Sequence, residues 1–325
     1  MSATVMIEQP GYAFPTEDDP YYTWRGERLI RVTKPLELHY GDQLHAWHGK
    51  MAAARAVDLH EKWMGGEIND ETFKDLFTVE RMMAAGFEHR DWKGDIGTIG
   101  HLAEYDWAFG MRVEPNDRYD YLAGLIENAS RYDPGFSALP EHVAPYFDSV
   151  LEFYELTNPE FDMVGMEAVC VSISNRHAGR MDGAATFYAD RLKDPKHPTC
   201  LEILDCIRKF GDGKKVTVSP IDNKHSNSLH DKFRWQLAAY KHSDFVGLLS
   251  DGSEHPIPEG QCSGILWAKP EERTRLVIVP CGEKEYETFL AARDFYELRQ
   301  ERSDGIRLSR AKPQQRRTDA RPRTF

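Results

Sequence analysis

Hydrophobic positions recur with a helical period along most of the first half of the chain. From Asp42 to about Trp63 apolar residues return every three or four positions, which predicts an amphipathic helix. A short apolar run at 28–32 predicts one strand before it. Four further helices are predicted from the same period. Two of them begin near Asn69 and near Gly97, and the other two span 119–132 and 141–156. The first half is therefore predicted to be mainly helical.

The second half changes to short runs that are rich in β-branched and aromatic residues. The runs at 163–174 and 178–189 predict a hairpin with its turn at 175–178. The remaining apolar runs predict strands at 201–207, 214–224, 262–268 and 275–280 and a closing helix at 283–300. Asn227 or Ser228 is predicted to cap a further helix between them. Helices and strands in this order predict a mixed α/β fold.

The segment 219–240 places polar residues where a strand gives way to a helix. On a strand, residues two apart share a face, so Asp222 and Lys224 are predicted to point into one site. On the helix that follows, Gln236 and Tyr240 are four residues apart and project from one face. A carboxylate that can hold a hard cation, with a lysine beside it, suits the hydrolysis of a charged substrate.

Composition limits the class of protein. The chain has 325 residues, 41% of them hydrophobic, which is enough for a sizeable core in one large domain or two ordinary ones. No apolar run approaches the roughly 20 residues of a membrane span, and the acidic start lacks the apolar segment of a signal peptide. Five scattered cysteines do not suggest a disulfide framework. We therefore expect a protein that is not exported and works in the reducing cytoplasm.

The charge is distributed unevenly. A formal net charge of −12 argues against a protein that coats nucleic acid through bulk electrostatics. The last segment, 301–325, is nevertheless basic and poor in large apolar residues. It has eight Lys and Arg side chains, and Asp304 and Asp319 oppose only part of their charge. We predict a disordered basic tail that either contacts phosphate groups or only adds solubility.

Two polar features upstream match the predicted site. His101 follows the G-T-I-G of 97–100 near the predicted start of a helix. Asp182 lies on the second strand of the predicted hairpin, whose first strand carries Glu167. Together, His101, Asp182 and Asp222 would offer one imidazole and two carboxylates, a donor set that suits Mg²⁺ or Mn²⁺. Such an ion neutralises charge that develops on a phosphodiester.

The order of these elements is G-T-x-x-H, then E, then G-x-x-D, then D-x-K followed by Q-x-x-x-Y, over roughly residues 95–280. It resembles the RecB-like branch of the PD-(D/E)XK nuclease superfamily, which includes CRISPR-associated and phage recombination exonucleases. A lone D-x-K occurs by chance in most proteins, whereas five elements in one order are far more specific. The resemblance implies an α/β fold in which a restriction-endonuclease-like mixed sheet is flanked by helices.

The resemblance also implies residue roles. The catalytic residues carry a carboxylate or an amine and would be Glu167, Asp182, Asp222 and Lys224. The metal ligands would be His101, Asp182 and Asp222. The DNA-contacting pair would be Gln236 and Tyr240. Lys224 could orient the attacking water or stabilise the transition state, and the sequence does not separate these roles.

The chain departs from the family pattern in two respects. Asp222 stands where many relatives have Glu, and its shorter side chain would require the metal to lie closer to the strand. Many relatives bind an iron–sulfur cluster through one upstream and three downstream cysteines. Here no cysteine precedes Cys170, and Cys262 and Cys281 are 19 residues apart with no third nearby, so buried cysteines are expected instead of a cluster.

Other interpretations of single residues remain. His101 alone could be a histidine whose ring is satisfied by local hydrogen bonds. The Asp222 and Lys224 side chains could form an ordinary surface ion pair. A zinc site could form from His39, His45 and His48, with His60 one helix face further on, although no H-E-x-x-H motif is present. No phosphate-binding G-x-x-x-x-G-K-[ST] motif is present either, so any helicase would be a separate chain.

The sequence thus predicts a metal-dependent DNA nuclease, with exonuclease activity favoured, in recombination, repair or phage DNA metabolism. The expected partners are DNA ends or single strands and a separate helicase or recombinase, in a bacterial cell. The alternative is a non-catalytic protein that keeps the fold for nucleic-acid binding or assembly. The predicted organisation is a helical region at 1–94, a nuclease core at 95–300 and the basic tail at 301–325.

Overall fold

The computed structural model describes residues 20–37, 41–131, 135–226, 228–248, 251–269 and 272–311. Within these ranges the chain forms a mixed α/β fold with two mixed sheets flanked by helices. The predicted α/β class and the helical first half are confirmed, and there are two sheets where the sequence predicted one.

The strands of the described residues are short and most lie in the second half. In chain order they are β1 (Tyr21–Trp24), β2 (Glu27–Arg31), β3 (Glu160–Phe161), β4 (Val169–Ser172), β5 (His177–Arg180), β6 (Gly183–Tyr188), β7 (Lys215–His225), β8 (Phe245–Gly247), β9 (Glu254–His255), β10 (Cys262–Ala268) and β11 (Arg275–Val279). The first sheet has the order β1-β2-β5-β4-β8-β9 and the second β11-β10-β7-β6-β3. Pairing is antiparallel except between β2 and β5 and between β7 and β10.

The helices of the described residues pack on both sheets and on one another. In chain order they are α1 (Thr33–Glu37), α2 (Gly41–Met64), α3 (Asp70–Leu76), α4 (Val79–Ala108), α5 (Arg118–Ser130), α6 (Pro140–Thr157), α7 (Pro198–Phe210), α8 (Asp231–Lys241) and α9 (Glu283–Ala311). One core lies between α4 to α7 and the second sheet, and another lies between α8, α9 and the first sheet.

Helix α4 begins much earlier than the sequence predicts. The predicted start near Gly97 is wrong, because the helix begins at Val79, where Thr78 caps it by accepting a hydrogen bond from the Arg81 amide. Glycines inside the helix resemble breakers in the sequence, but tertiary packing on the sheet compensates their low helix propensity. Helix α4 also crosses the predicted boundary between residues 94 and 95.

The segment 201–207 is helical, so the strand predicted there is wrong. It belongs to α7, which begins with Pro198 in its first turn and a His197 cap. Its buried side chains, Cys200, Ile203 and Ile207, follow a spacing of three and four residues. That spacing is helical, whereas the short apolar run alone looks like a strand.

The chain passes from one sheet to the other at Met181 and Asp182. Strand β5 of the first sheet ends just before them and β6 of the second sheet begins just after them. The run predicted as one strand at 178–189 is therefore two strands in different sheets. Asp182 lies between the two strands, where the chain leaves the first sheet for the second, so its side chain can be directed into a site at this junction.

Two predictions near the helix ends need correction. Helix α8 is preceded by His230 at the capping position, and the His230 side chain makes no capping hydrogen bond. Ser228 is therefore not the cap, and Asn227 lies outside the described residues.

Helix α9 continues to Ala311, so the first part of the predicted disordered tail is helical. Glu, Arg, Leu and Ala in this part have good helix propensity, and extending a helix needs no new nucleus. Residues 312–325 lie outside the described residues.

The remaining sequence-based points concern the membrane, the cysteines and the histidines near the N-terminus. In the part of the chain that the structure describes, no helix is long and apolar enough to cross a membrane. All five cysteines are buried free thiols, as predicted. Of the alternative zinc site, His39 and the His45 side chain lie outside the described residues. The His48 ring packs against Phe87, with centroids 4.5 Å apart.

Candidate metal and hydrolytic site

The ladder between β4 and β5 places two carboxylates opposite each other. Strands β4 and β5 pair in a register that matches Val169 with Arg180, and continuing it matches Glu167 with Asp182. The Glu167 amide donates to the Asp182 carbonyl at 3.3 Å, which shows that the pairing does continue. Directly opposed residues carry their side chains on one face. Glu167 also has a φ of 53°, a left-handed backbone conformation that is costly for a non-glycine residue.

Helix α4 supplies the third group of this cluster. The Nδ1 atom of His101 lies 3.7 Å from Asp182 Oδ1 and 3.8 Å from Glu167 Oε1. The ligand atoms of all three side chains lie within 4.8 Å of one another. His101 and Asp182, predicted from distant parts of the sequence, therefore do converge, and Glu167 completes the cluster.

Asp222 and Lys224 lie on one face of β7, as predicted. Lys224 Nζ is 2.6 Å from Asp222 Oδ2, and the Asp222 side chain is only 1% exposed. The other carboxylate oxygen, Oδ1, accepts a hydrogen bond of 3.1 Å from Gln236 Nε2. Asp222 is therefore not part of the tight cluster, although it was predicted to be a ligand with His101 and Asp182. Its two oxygens are held by the lysine and the amide.

Gln236 and Tyr240 project from one face of α8 toward Asp222. Gln236 Nε2 also lies 2.8 Å from the Tyr240 hydroxyl, to which it donates. Both side chains are buried, so in this structure they orient Asp222 and do not form an exposed surface. Their contact with DNA stays a prediction.

The backbone of β7 joins the two halves of the site. The amide of Asn223 donates to Asp182 Oδ2 at 2.5 Å. The register between β6 and β7 pairs Gly183 with Ile221, so Asp182 comes next to Asp222 when it is continued by one residue. The His101, Glu167 and Asp182 cluster and the Asp222–Lys224 pair are therefore adjacent parts of one polar site.

Burial determines the electrostatics of the site. It lowers the pKa of His101 to about 4, which keeps the imidazole neutral and able to act as a ligand. Burial, reinforced by Asp182, raises the pKa of Glu167 to about 8, and burial raises the pKa of Asp222 to about 6. For Lys224 burial is the largest single influence and lowers the pKa, but the Asp222 and Asp182 carboxylates together outweigh it and raise the pKa, so the side chain is a charged ammonium.

The donor set of the cluster fits a hard divalent cation. One neutral imidazole nitrogen and two carboxylate oxygens are the ligand types that Mg²⁺ and especially Mn²⁺ accept. Burial raises the pKa of both Glu167 and Asp182, and the Asp182 carboxylate raises that of Glu167 further, so this partly buried pair is unfavourable when both groups are charged and no cation is bound. Arg180 offsets this in part through an ion pair of 2.9 Å with Glu167, and Lys224 and Arg180 act to lower the pKa of Asp182.

The sequence analysis missed a second layer of polar residues on the other face of β7. Glu104 accepts a hydrogen bond of 3.1 Å from His225 Nε2, taking the ring as a donor there, and a short one from the Asn223 side-chain amide. Glu104 is 2% exposed. It lies three residues after His101 on α4, and that spacing was the available signal. Its role is to hold β7 against α4, which positions Asp182 through the Asn223 backbone.

The chain matches no known protein-family model, and no curated protein is significantly similar to it in sequence.

Proposed function

We propose that this chain is a divalent-metal-dependent nuclease that hydrolyses phosphodiester bonds and has a restriction-endonuclease-like core of the RecB-like type. The observation that carries the proposal is the meeting of His101, Glu167 and Asp182 beside the Asp222–Lys224 pair. These residues come from helix α4, from strand β7 and from two segments next to strands, and each was singled out by its place in the motif order. A non-catalytic binding module would gain nothing from buried and partly buried carboxylates facing a phosphate chain.

In this proposal the cluster of His101, Glu167 and Asp182 holds the cation, and Asp222 can join it when the cation is bound. The cation would supply Lewis-acid neutralisation of the phosphate charge. The Lys224 ammonium donates hydrogen bonds to a phosphate oxygen as negative charge develops there, or orients the attacking water. Gln236 and Tyr240 keep the Asp222 carboxylate in place for this chemistry.

We further propose that the substrate is DNA and that digestion proceeds from an end, in recombination, repair or phage DNA metabolism. A motor activity would come from a separate helicase or recombinase. The restriction-endonuclease-like assignment is supported by the D-x-K strand β7, which is central in its sheet and pairs with β6 directly after Asp182.

The test is digestion of end-labelled linear and circular DNA across a metal series. We expect degradation of linear DNA with Mn²⁺ or Mg²⁺ and none in EDTA. Asp222→Ala and Lys224→Ala should each lower the rate by at least about 100-fold, because each removes a charge that acts directly at the reacting phosphate. Lys241→Ala, on the exposed end of α8, is the matched control and should leave the rate unchanged.

Circular dichroism and urea unfolding must show that both site variants remain folded. Full activity in either folded variant would exclude the assigned roles. Salt-sensitive DNA binding that needs no metal and gives no product would favour the non-catalytic alternative.

A further inference from the structure

A second lysine borders the site at the start of α8. Lys232 precedes Gln236 by four residues and Tyr240 by eight, so the three side chains lie along one face of the helix. On this face the Gln236 side chain bonds Asp222 Oδ1. Lys232 therefore extends the polar face of α8 by one turn toward the N-terminus of the helix, beyond the residue that bonds Asp222.

One aromatic ring lies beside both lysines. The Nζ atom of Lys224 is 5.1 Å from the centroid of the Phe233 ring, and the Nζ atom of Lys232 is 5.5 Å from the same centroid. Both distances are within the range of a cation–π contact. Phe233 is 7% exposed and belongs to the core beneath α8, so packing fixes its ring. Two ammonium groups are thus held near one another by one buried side chain.

The charges around Lys232 indicate on which side of the site it lies. Burial and then the Lys224 charge lower the pKa of Lys232, and Glu37 and Asp222 oppose them only in part. For Lys224, the Asp222 and Asp182 carboxylates overcome the effect of burial and raise the pKa. Asp182 of the metal cluster acts on Lys224, and Lys224 acts on Lys232, so these charges follow one another away from the cluster.

Two neighbouring ammonium groups favour the binding of an anion beside them. Like charges that are partly removed from water repel each other, and a bound anion relieves both. Asp222 does not serve both lysines, because its Oδ2 lies 2.6 Å from Lys224 Nζ and its Oδ1 accepts from Gln236. Glu37 is exposed and forms an ion pair of 3.5 Å with Lys34. The lysines of this region therefore outnumber its two carboxylates.

We propose that Lys232 binds the phosphate next to the one that is hydrolysed, on the same DNA strand, while Lys224 acts at the reacting phosphate. A strand carries its phosphates at a regular spacing, so a cation beside the proposed catalytic lysine meets the neighbouring phosphate. Such a contact adds affinity and fixes the register of the strand without reading its sequence. The inference rests on the proposed function, because both phosphates belong to the strand that is cut at the cluster.

The experiment measures digestion of a short linear duplex with Mn²⁺ over a range of substrate concentrations. Lys232→Met keeps the length of the side chain and removes its charge, and it should raise KM about tenfold, the effect of losing one contact between an ammonium group and a phosphate. The change in kcat should be much smaller, because a contact to a phosphate that does not react is equally strong in the ground state and the transition state. Lys232→Arg keeps the charge and should retain most of the affinity.

Lys241→Met is the matched control. Lys241 is an exposed lysine of the same helix, nine residues further on and therefore on the opposite face. This variant should have the KM of the wild type.

A neutral methylphosphonate linkage, moved along the cut strand, identifies the phosphate. At one position next to the cleaved bond it should raise the wild-type KM as much as Lys232→Met does, and Lys232→Met should be insensitive to it. An unchanged KM in Lys232→Met would overturn the inference. So would a Lys232→Met variant that stays as sensitive as the wild type at every position, or one that loses as much kcat as Lys224→Ala.

If the wild type digests no DNA with any metal, the proposed function fails, and the phosphate contact is decided by binding of the same duplex in EDTA. Fluorescence anisotropy over a series of KCl concentrations gives the slope of the logarithm of affinity against the logarithm of salt concentration. A slope that is smaller by about 0.9 in Lys232→Met, and unchanged in Lys241→Met, would support the contact. Equal slopes for the wild type and Lys232→Met would end it.

Discussion

At the scale of the residue, a carboxylate that is removed from water at the candidate site opposes folding when it is charged. Glu167 illustrates this, since burial first and the Asp182 carboxylate second raise its pKa from 4.5 to about 8. An unfolded chain releases the proton of Glu167 near pH 4.5, whereas the folded protein keeps it until about pH 8. The free energy of unfolding must therefore fall as pH rises between these values, because the folded state binds the additional proton.

We expect Glu167→Gln to stabilise the metal-free protein at pH 8. The amide stays neutral, so the variant avoids the cost of a buried charge, and the gain should be on the order of 2 kcal/mol. The gain should disappear below pH 4.5, where the wild-type side chain is also neutral. Urea unfolding in EDTA at both pH values measures it.

The control for this measurement is Glu160→Gln, at an exposed position paired with Arg191. It should change the free energy of unfolding little at either pH. A Glu167→Gln variant that is less stable than wild type at pH 8 would show that the Arg180 ion pair, and not the burial of charge, dominates at this residue.

The residues of the site differ in how visible they were in the sequence. Asp222 and Lys224 were found because a strand places alternate residues on one face. His101 and Asp182 were found only through their order in a motif, since no local rule brings them together. Glu104 was missed although it lies three residues after His101, because that spacing alone does not separate a buried carboxylate that bonds other side chains from an exposed one.

At the scale of the element, α4 is the helix on which the site depends. It presents His101 to the cluster while it packs closely on β7. A Cβ atom at Gly100 would lie 2.9 Å from Cε1 of His225, whose side chain is 4% exposed and held by Glu104. The absence of a side chain at Gly100 therefore sets the distance between helix and strand.

We expect Gly100→Ala to destabilise the protein by about 1–3 kcal/mol, the usual cost of inserting a methyl group into a packed interface. The nuclease activity that we propose should fall as well, because the shift displaces His101. Urea unfolding and digestion of linear DNA measure the two effects.

Gly97→Ala is the matched control on the same helix. A Cβ atom there meets nothing within 4 Å. Replacing a helical glycine by alanine at such a position should stabilise the protein by about 0.5–1 kcal/mol. Equal effects of the two substitutions would contradict the close packing between α4 and β7.

The errors at this scale have one physical origin. The start of α4 and the identity of α7 were mispredicted because a glycine-rich stretch and a short apolar run are ambiguous locally. Tertiary packing determined both the start of α4 and the helical conformation of α7. Helix α7 places Cys200, Ile203 and Ile207 in the core, whereas a strand over the same residues would bury a different set.

At the scale of the whole molecule, a cation bound to the cluster would link metal binding to folding. The three side chains come from α4, from a position two residues before β4 and from the junction of β5 and β6, so only the folded chain brings them together. A cation that binds this arrangement must stabilise the folded state against the unfolded state.

We expect Mn²⁺ at 100 times its dissociation constant to stabilise the protein by about 2.7 kcal/mol, and to raise Tm by several degrees. Asp182→Asn should abolish most of this shift while the variant remains folded in EDTA. Differential scanning calorimetry with and without Mn²⁺ measures it.

The control here is Glu259→Gln, an exposed acid away from the cluster. It should retain the full shift. A shift that survives Asp182→Asn unchanged would place the bound cation elsewhere in this acidic protein, whose net charge is −12.

The sequence by itself determined the α/β class, most of the helices and strands, and seven polar residues of the site, which are His101, Glu167, Asp182, Asp222, Lys224, Gln236 and Tyr240. The class, the elements and the polar faces of β7 and α8 follow from periodicity, which is local, whereas the other three residues follow only from the order of motifs along the chain. Only the tertiary structure decided that the chain changes sheets at Asp182, that Glu167 joins His101 there, and that Asp222 is held apart by Lys224 and Gln236. The physical reason is that these distances depend on strand register and on the approach of α4 to β7, which residues far apart in the sequence set together.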